Sequence, residues 1–374
     1  MGRRRFELDT RVLSVFFFVA IPFVAFGSFV VVNLARGVLQ DAMGMSLEQQ
    51  AVEHRMLLEH RMDDAVTQLH LLALDPQVRA TVAGFKPAAA DEKARLELAT
   101  QTELAGRLRE IVAAGAGPKL LQLVDAQGRL VASSGKVGHA ENADDAWFRF
   151  LAGREYLQPQ PYVGDFHRLA GNWGAVLELA YPIVAPADNR WLGGIRALLD
   201  VQDLYAAIAP LSAGSSGETY VFWETPRAYL VRASDGIILA AEDGSVVLKQ
   251  ALPDFEVVQT QMAQQRSHWL APEVRAPATE GRPAALRPAR LMAATRVAKV
   301  PGADWLVVVE RSLDQALAPI KGITRYLWIH FLGAFGTVIL AALYFSFKLE
   351  RPIIEEGLHL HEEHVPSGVR TTES

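Results

Sequence analysis

The densest group of side chains able to do chemistry lies near the C-terminus, between residues 355 and 364. His359, His361 and His364 stand there among glutamates. His359 and His361 would point the same way on a strand, and His361 and His364 would be neighbours on a helix, so the segment can be arranged to hold a divalent metal. A charged terminus is more often solvated, because no folded shell orients the imidazoles. We expect no cofactor, and the three histidines are weak metal candidates.

Motifs of common enzyme classes are absent from the sequence. It contains no G-x-x-x-x-G-K phosphate loop, no G-x-S-x-G nucleophile elbow and no H-E-x-x-H zinc helix. The absence of cysteine excludes thiolate zinc sites, cysteine nucleophiles and disulfides. The sequence therefore predicts a protein that is not an enzyme.

Composition bounds the architecture and the partners. The chain has 374 residues, of which 50% are hydrophobic, and a net charge of -5. This length suits about two domains. The mildly acidic net charge indicates no basic surface for a polyanion, so we expect no nucleic-acid partner.

Two apolar stretches predict transmembrane helices. Residues 326–347 contain no Asp, Glu, Lys or Arg, and residues 12–35 are equally free of charge. At about 1.5 Å per residue each stretch can cross a hydrocarbon core of about 30 Å. Both are bounded by basic residues, and arginines dominate residues 1–11.

Arginines before the first stretch favour a cytoplasmic N-terminus. Residues 36–325 would then lie outside the cytoplasm, in the periplasm of a Gram-negative bacterium, and residues 348–374 would return to it. We expect a two-pass protein of the bacterial inner membrane with a short cytoplasmic tail.

The region between the two stretches shows a long helix and then a repeat. Residues 36–75 have one apolar seam at helical spacing, which suits either a core helix or a dimer seam. Two hairpin patterns follow, Leu121–Ala132 and Leu177–Leu199. A similar pair, Tyr229–Ala240 and Met292–Val309, recurs about 110 residues later. Two tandem α+β modules with antiparallel sheets explain this arrangement.

Several local patterns resemble the double Cache sensor domain of bacterial chemoreceptors and sensor kinases. They are the segment DDAWF at 144–148 with the Pro-Tyr-Val-Gly at 161–164, the paired strands around 178–182 and 194–200, and PGADWLVVVERSL at 301–313. The resemblance covers about residues 36–325. It implies two PAS-like modules, a first, membrane-distal one at about 76–205 and a second, membrane-proximal one at about 206–325.

The resemblance also implies a ligand pocket in the first module and a homodimer paired through the long helix. In amino-acid-sensing members an arginine two residues before the tryptophan grips the ligand carboxylate, and Asp145 stands at that position here. An aspartate would repel a carboxylate, so Asp144 and Asp145 suit a cationic or hydroxyl-rich ligand better, with Arg168 or Arg196 as cations from elsewhere. The ligand-binding candidates are Trp147, Phe148, Asp145, Tyr156, Tyr162, Asp165, Tyr181, Arg196 and Asp200.

Each of these residues also has an ordinary structural interpretation. Trp147 and Phe148 on a helix are more often core than ligand platform. Asp145 can serve as a helix cap, and Tyr162 can pack at the rim of a sheet.

The tail after residue 347 bears on how a signal would leave the protein. Arg351-Pro352-Ile353 resembles the opening of a HAMP linker, but the tail is too short for a kinase, a cyclase or a methyl-accepting hairpin. We expect a sensor that passes its signal to a separate cytoplasmic protein, or a truncated form of a longer receptor. An envelope protein that uses the same fold to dock a protein partner is the alternative.

Overall fold

The computed structural model describes most of the chain between residues 2 and 344. The described residues are 2–86, 98–114, 117–136, 144–152, 159–169, 174–209, 226–275, 286–318, 322, 325–326, 328–333, 335–337, 339–340 and 344. The chain forms two compact units, one of Met1–Gln40 with Leu317–Ser374 and one of Asp41–Ala316. Both sheets described below belong to the second unit.

The N-terminal segment and the predicted long helix form one continuous helix. Helix α1 runs from Gly2 to Leu74 with Pro22 inside it. Its apolar seam behaves as the spacing predicts, since Leu58, Met62 and Leu69 are buried. Within the described part of the chain, no helix combines the length and the apolar character that crossing a membrane requires.

The first module is an antiparallel five-stranded sheet with short helices on it. The strand order is β2-β1-β5-β4-β3. The strands are β1 (Leu120–Asp125), β2 (Leu130–Ser133), β3 (Tyr162–Arg168), β4 (Ala175–Val184) and β5 (Trp191–Asp200). The helices are α2 (Pro76–Ala83), α3 (Glu103–Ala113), α4 (Ala146–Ala152) and, after β5, α5 (Val201–Ile208).

The second module repeats the same topology. Its sheet has the order β7-β6-β12-β11-β8, which is the order of the first sheet with each strand replaced by its counterpart. The strands are β6 (Arg227–Arg232), β7 (Ile238–Ala240), β8 (His268–Ala271), β11 (Arg290–Arg296) and β12 (Trp305–Ser312). The helices are α6 (Phe255–Ala263) and α7 (Leu313–Ala316).

The four hairpins predicted from the sequence are confirmed. Strands β1 and β2, β4 and β5, β6 and β7, and β11 and β12 pair antiparallel. The fold is therefore α+β with two antiparallel sheets and a long N-terminal helix, as the repeat indicates.

The four prolines within residues 271–290 predict one long surface loop, and this prediction is wrong in part. Two short strands, β9 (Val274–Arg275) and β10 (Leu286–Arg287), pair inside it, and β8 ends at its first residue. Four prolines in that stretch suppress the strand signal, because proline cannot donate to a ladder.

Candidate ligand-binding site

The candidate site lies on one face of the first sheet, under helix α4. Cross-strand register places Arg196 of β5 between Gln122 of β1 and Ala180 of β4. Successive side chains alternate between the faces of a strand, so Gln122, Arg196 and Glu178 share one face. A Cβ at Gly194 would lie 2.9 Å from Leu151 Cδ1 and 3.1 Å from Trp147 Cζ3. The missing side chain at Gly194 thus lets α4 approach this face.

Arg196 is the centre of a buried polar cluster. Its Nε forms a close ion pair with Glu178 Oε1, and its Nη1 donates to Gln122 Oε1 at 3.1 Å. The same Nη1 lies 3.8 Å from Asp145 Oδ2. The side chains of Arg196 and Glu178 are only 11% and 10% exposed. One guanidinium thus faces two carboxylates, and the cluster carries a net negative charge.

Trp147 joins this cluster to the hydrophobic core. The residue is 0% exposed, and its indole Nε1 donates to Asp145 Oδ2 at 3.1 Å. The Arg196 guanidinium carbon lies 5.8 Å from the centroid of the Trp147 ring, within the range of a cation–π contact. Asp145 therefore accepts from the indole and lies beside the guanidinium at once.

Aromatic rings extend the site from Trp147. Phe148 meets Trp147 edge to face at 5.8 Å between centroids and lies 5.2 Å from Trp191. Tyr162, the cross-strand partner of Ala180, lies 5.1 Å from Phe150.

The pKa of Tyr162 reports the charge of its surroundings. Burial raises this pKa first, and the negative charges of Glu178 and Asp165 raise it further, while Arg196 acts in the opposite direction. Asp165 is itself exposed and lies at the irregular part of β3. The Tyr162 hydroxyl therefore stays a neutral donor beside two acids.

Two of the candidate residues lie apart from this cluster. Tyr181 projects from the opposite face of the sheet, where it stacks on His70 of α1 at 5.0 Å and donates to Pro159 O at 3.3 Å. Asp200 is the N-cap of α5, accepts from Gln202 N at 2.7 Å and pairs with Lys119. Both have structural partners of their own, so we leave them out of the candidate site.

The remaining candidates lie outside the described residues or are directed elsewhere. Tyr156, His359, His361 and His364 lie outside the described residues. Arg168 donates from Nη2 to Val247 O in the second module at 2.9 Å, so it points away from the cluster. Within the described residues, no group of three or more histidines, aspartates and glutamates is arranged to hold a metal.

Sequence reasoning missed Gln122 and Glu178 as members of the site. Glu178 is the one charged residue of β4, and Gln122 stands between leucines in β1; both strands are otherwise mostly apolar and buried. A buried polar group must find a hydrogen-bonding or charged partner, so an isolated polar residue in such a strand predicts a polar contact across the sheet.

Comparison with known proteins finds matches among solved structures only. No protein-family model and no curated protein matches the chain. A domain of a sensory box/GGDEF family protein from Vibrio parahaemolyticus matches with a TM-score of 0.50 at 12% identity, covering 74% of this chain and 99% of its own. The extracellular domain of the histidine kinase vpHK1S-Z8 matches with a TM-score of 0.50 at 11% identity, covering 76% and 96%.

A third match is the ligand-binding domain of the amino acid chemoreceptor PctB from Pseudomonas aeruginosa PAO1, in complex with L-Gln. Its TM-score is 0.44 at 16% identity, and the match covers 73% of this chain and 92% of that one. The matches at a TM-score of 0.50 confirm the predicted resemblance to double Cache sensor domains at the level of the fold.

Proposed function

Because the chain has the fold of the double Cache sensor domains, we propose that it is a sensor that binds a small molecule in its first module. The observation that carries the proposal is the cluster of Arg196, Glu178, Asp145 and Trp147 on the face of the sheet beneath α4. A buried ion pair adds little net stability over apolar packing of similar volume. Such a cluster is therefore better explained by recognition than by stability.

The charge of the cluster favours a cationic or hydroxyl-rich ligand. Arg196 is already engaged by Glu178 and Gln122, so it has little capacity left for a ligand carboxylate. Asp145 and the neutral Tyr162 hydroxyl remain as an acceptor and a donor at the edge of the cluster. A ligand hydroxyl can donate to Asp145 and accept from Tyr162, and a ligand ammonium can donate to Asp145, whereas an anion would meet two carboxylates.

The sensing region is proposed to lie outside the cytoplasm between transmembrane helices at 12–35 and 326–347. The continuous helix α1 supports this arrangement, since it joins the first apolar stretch to residues that pack against both modules. Reporter fusions test it. A reporter active only in the periplasm should be active when fused after Ala209 and inactive when fused after Ser374, and the reverse result would reject the topology.

The output is proposed to belong to another polypeptide. Ligand binding would bias one of two packings of a homodimer, and a cytoplasmic protein would read the difference through the second apolar stretch. The chain itself would be non-enzymatic, as the absence of catalytic motifs in its sequence predicts.

A screen on the purified full chain in detergent micelles tests ligand binding. The panel contains polyamines, basic amino acids, quaternary amines and sugars, and the readout is the shift in the unfolding midpoint with ligand concentration. A saturable rise with at least one compound supports the proposal, because binding to the folded state alone raises its stability. No shift with any member at millimolar concentration would reject it.

One observation favours the alternative of a protein-docking module. The charges of the cluster pair with one another and Trp147 is wholly buried, so side chains of the chain itself occupy part of the space beneath α4. An envelope assembly protein would keep such a cluster closed. Crosslinking in cells that recovers one extracytoplasmic protein, together with a negative ligand screen, would support this alternative.

A further inference from the structure

The second module contains a cavity that no part of the proposed function uses. Its volume is about 430 Å³, and it lies between the start of β6 and the segment 241–253 that follows β7. This volume is within the range of pockets that hold small molecules, about 300–1,000 Å³.

One part of the cavity wall is basic and phenolic. Arg227 and Tyr229 are two residues apart on β6, so their side chains share one face of the strand, and both line the cavity. The Tyr229 hydroxyl also donates to Glu310 Oε1 at 3.0 Å. Burial raises the pKa of Tyr229, and Glu310 raises it further. The hydroxyl is therefore a neutral, oriented group beside the Arg227 guanidinium.

The charged residues beneath this part of the wall form ion pairs with one another. Glu310 receives Arg290 Nη1 at 2.7 Å, and Arg290 also pairs closely with Asp254. All three side chains are at most 10% exposed. Asp254 and Glu310 share the single guanidinium of Arg290, so this layer keeps one excess negative charge, and Glu310 also raises the pKa of Arg227.

Another part of the wall is acidic. Glu242 and Asp243 line the cavity and are exposed, and Asp243 Oδ1 accepts from Ser245 N at 2.9 Å in the turn. The charge of Glu242 raises the pKa of Arg227, but in the described part of the chain no ion pair within 4.0 Å joins the two side chains. The cavity thus exposes an arginine and a carboxylate that do not neutralise each other by direct contact, beside the apolar side chains of Val246 and Ile238.

We propose that this cavity is a second ligand site, which takes a small zwitterion with its carboxylate on Arg227 and its ammonium on Glu242. A guanidinium binds a carboxylate in a bidentate geometry, and a carboxylate binds an ammonium by charge-assisted hydrogen bonds. A dianion would meet Glu242 and Asp243, and a dication would meet Arg227. A molecule with one charge of each sign satisfies both parts of the wall.

The segment that lines this cavity also touches the first module. Arg168 of β3 donates to Val247 O at 2.9 Å, and the Gln202 side chain of α5 lies beside Gly244. A ligand that orders residues 241–253 would therefore act on contacts made by both modules. The site is separate from the cluster around Arg196 and stands without it.

Saturation-transfer NMR on the full chain in detergent micelles tests the second site. The probe is an equimolar mixture of the standard L-amino acids, compared with the same mixture N-acetylated. We expect at least one free amino acid to bind, its N-acetyl form to bind at least about tenfold more weakly, and Arg227→Ala and Glu242→Gln each to weaken binding by a similar factor. Arg232→Gln, on the same strand but paired with Asp235, should bind as the unchanged chain does.

The variant Asp145→Asn distinguishes the two sites. Binding that is lost in Asp145→Asn and kept in Arg227→Ala would belong to the first module and would overturn this proposal. Binding that survives in both Arg227→Ala and Glu242→Gln, or no binding of any free amino acid, would also overturn it. Equal binding of free and N-acetylated probes would reject the zwitterion.

Discussion

The residue that organises the first module is Arg196, because it is charged, almost buried and surrounded by groups from three other elements. Glu178 and Gln122 reach it across neighbouring strands, and Asp145 reaches it from the start of α4. An unpaired charge at this depth would cost several kcal/mol, so each partner contributes to holding the others in place.

Removing the carboxylate of Glu178 should destabilise the first module. We expect Glu178→Gln to lower the free energy of unfolding by about 3 kcal/mol, because it removes the carboxylate in closest contact with a buried guanidinium. Urea unfolding followed by tryptophan fluorescence measures the change.

A surface ion pair in the same sheet is the matched control. Arg190 and Asp188 lie 3.8 Å apart in the turn between β4 and β5, and both side chains are well exposed. Asp188→Asn should change the free energy of unfolding by less than about 0.5 kcal/mol. Equal changes in the free energy of unfolding for Glu178→Gln and Asp188→Asn would show that burial does not strengthen the ion pair of Arg196.

His54 of α1 gives the stability of the chain a pH dependence. It is buried on α1, and burial lowers its pKa below the ordinary value of 6.5, against a smaller opposing effect of Glu53. The unfolded chain therefore binds the proton more readily than the folded chain does. The contribution of neutral His54 to the free energy of unfolding is complete above pH 6.5 and is lost as the pH falls below that value.

Unfolding measured between pH 7.5 and pH 5 tests this contribution. The free energy of unfolding should fall with pH over that range, and His54→Gln should flatten the slope. A slope that is the same in both proteins would assign the dependence to other groups.

Among single residues, the sequence predicted the aromatic and acidic members of the site better than their partners. Trp147, Asp145, Tyr162 and Arg196 do come together. Tyr181 is separated from them because its position in β4 has the opposite parity to Glu178 and Ala180. Side-chain parity follows from strand register, which the spacing of motifs does not give.

At the scale of elements, turn glycines fix where each hairpin reverses. Gly128 and Gly236 occupy equivalent turns and have positive φ values of 79° and 73°. Only glycine adopts this conformation without strain. The sequence repeat that contains them therefore predicts both hairpins, and the structure confirms both.

Gly236 should be more sensitive to substitution than its conformation alone requires. A Cβ at Gly236 would overlap the Phe255 ring at the start of α6, whereas a Cβ at Gly302, with a φ of 76°, would meet nothing within 4 Å. We expect Gly302→Ala to cost about 1 kcal/mol from backbone strain, and Gly236→Ala to cost about 1–3 kcal/mol more from overpacking. Urea unfolding compares them, and equal costs would contradict the packing account.

Strand β8, at the edge of the second sheet, is an element that the sequence hides. The hairpin strands are apolar and buried on both sides, which makes them visible as runs. Strand β8 has four residues at the edge of the sheet, and among the described residues it pairs with β11 alone. A short strand with one neighbour carries too little periodicity to stand out.

At the scale of the whole molecule, α1 contacts both modules. Glu59 Oε1 accepts from Ala298 N at 2.9 Å and from Lys299 N at 3.2 Å, between β11 and β12 of the second module. Further along α1, His70 stacks on Tyr181 of the first module. A shift of α1 would therefore be felt in both sheets.

Glu59 should couple α1 to the second module. We expect Glu59→Ala to lower the free energy of unfolding by about 2 kcal/mol, because two backbone N–H groups lose a charged acceptor. Glu59→Gln keeps an amide oxygen and should lose less than half of that. Hydrogen exchange at Ala298 and Lys299 reports the contact directly, and unchanged protection in Glu59→Ala would contradict it.

The account as a whole is tested most directly by calorimetric titration of the full chain with the cationic or hydroxyl-rich compound that gives the largest stabilisation in the screen. We expect saturable binding, weakened at least about tenfold by Asp145→Asn and unchanged by Asp188→Asn. Equal binding to the unchanged chain and to Asp145→Asn, or no heat of binding with any compound, would contradict a ligand sensor centred on the first module.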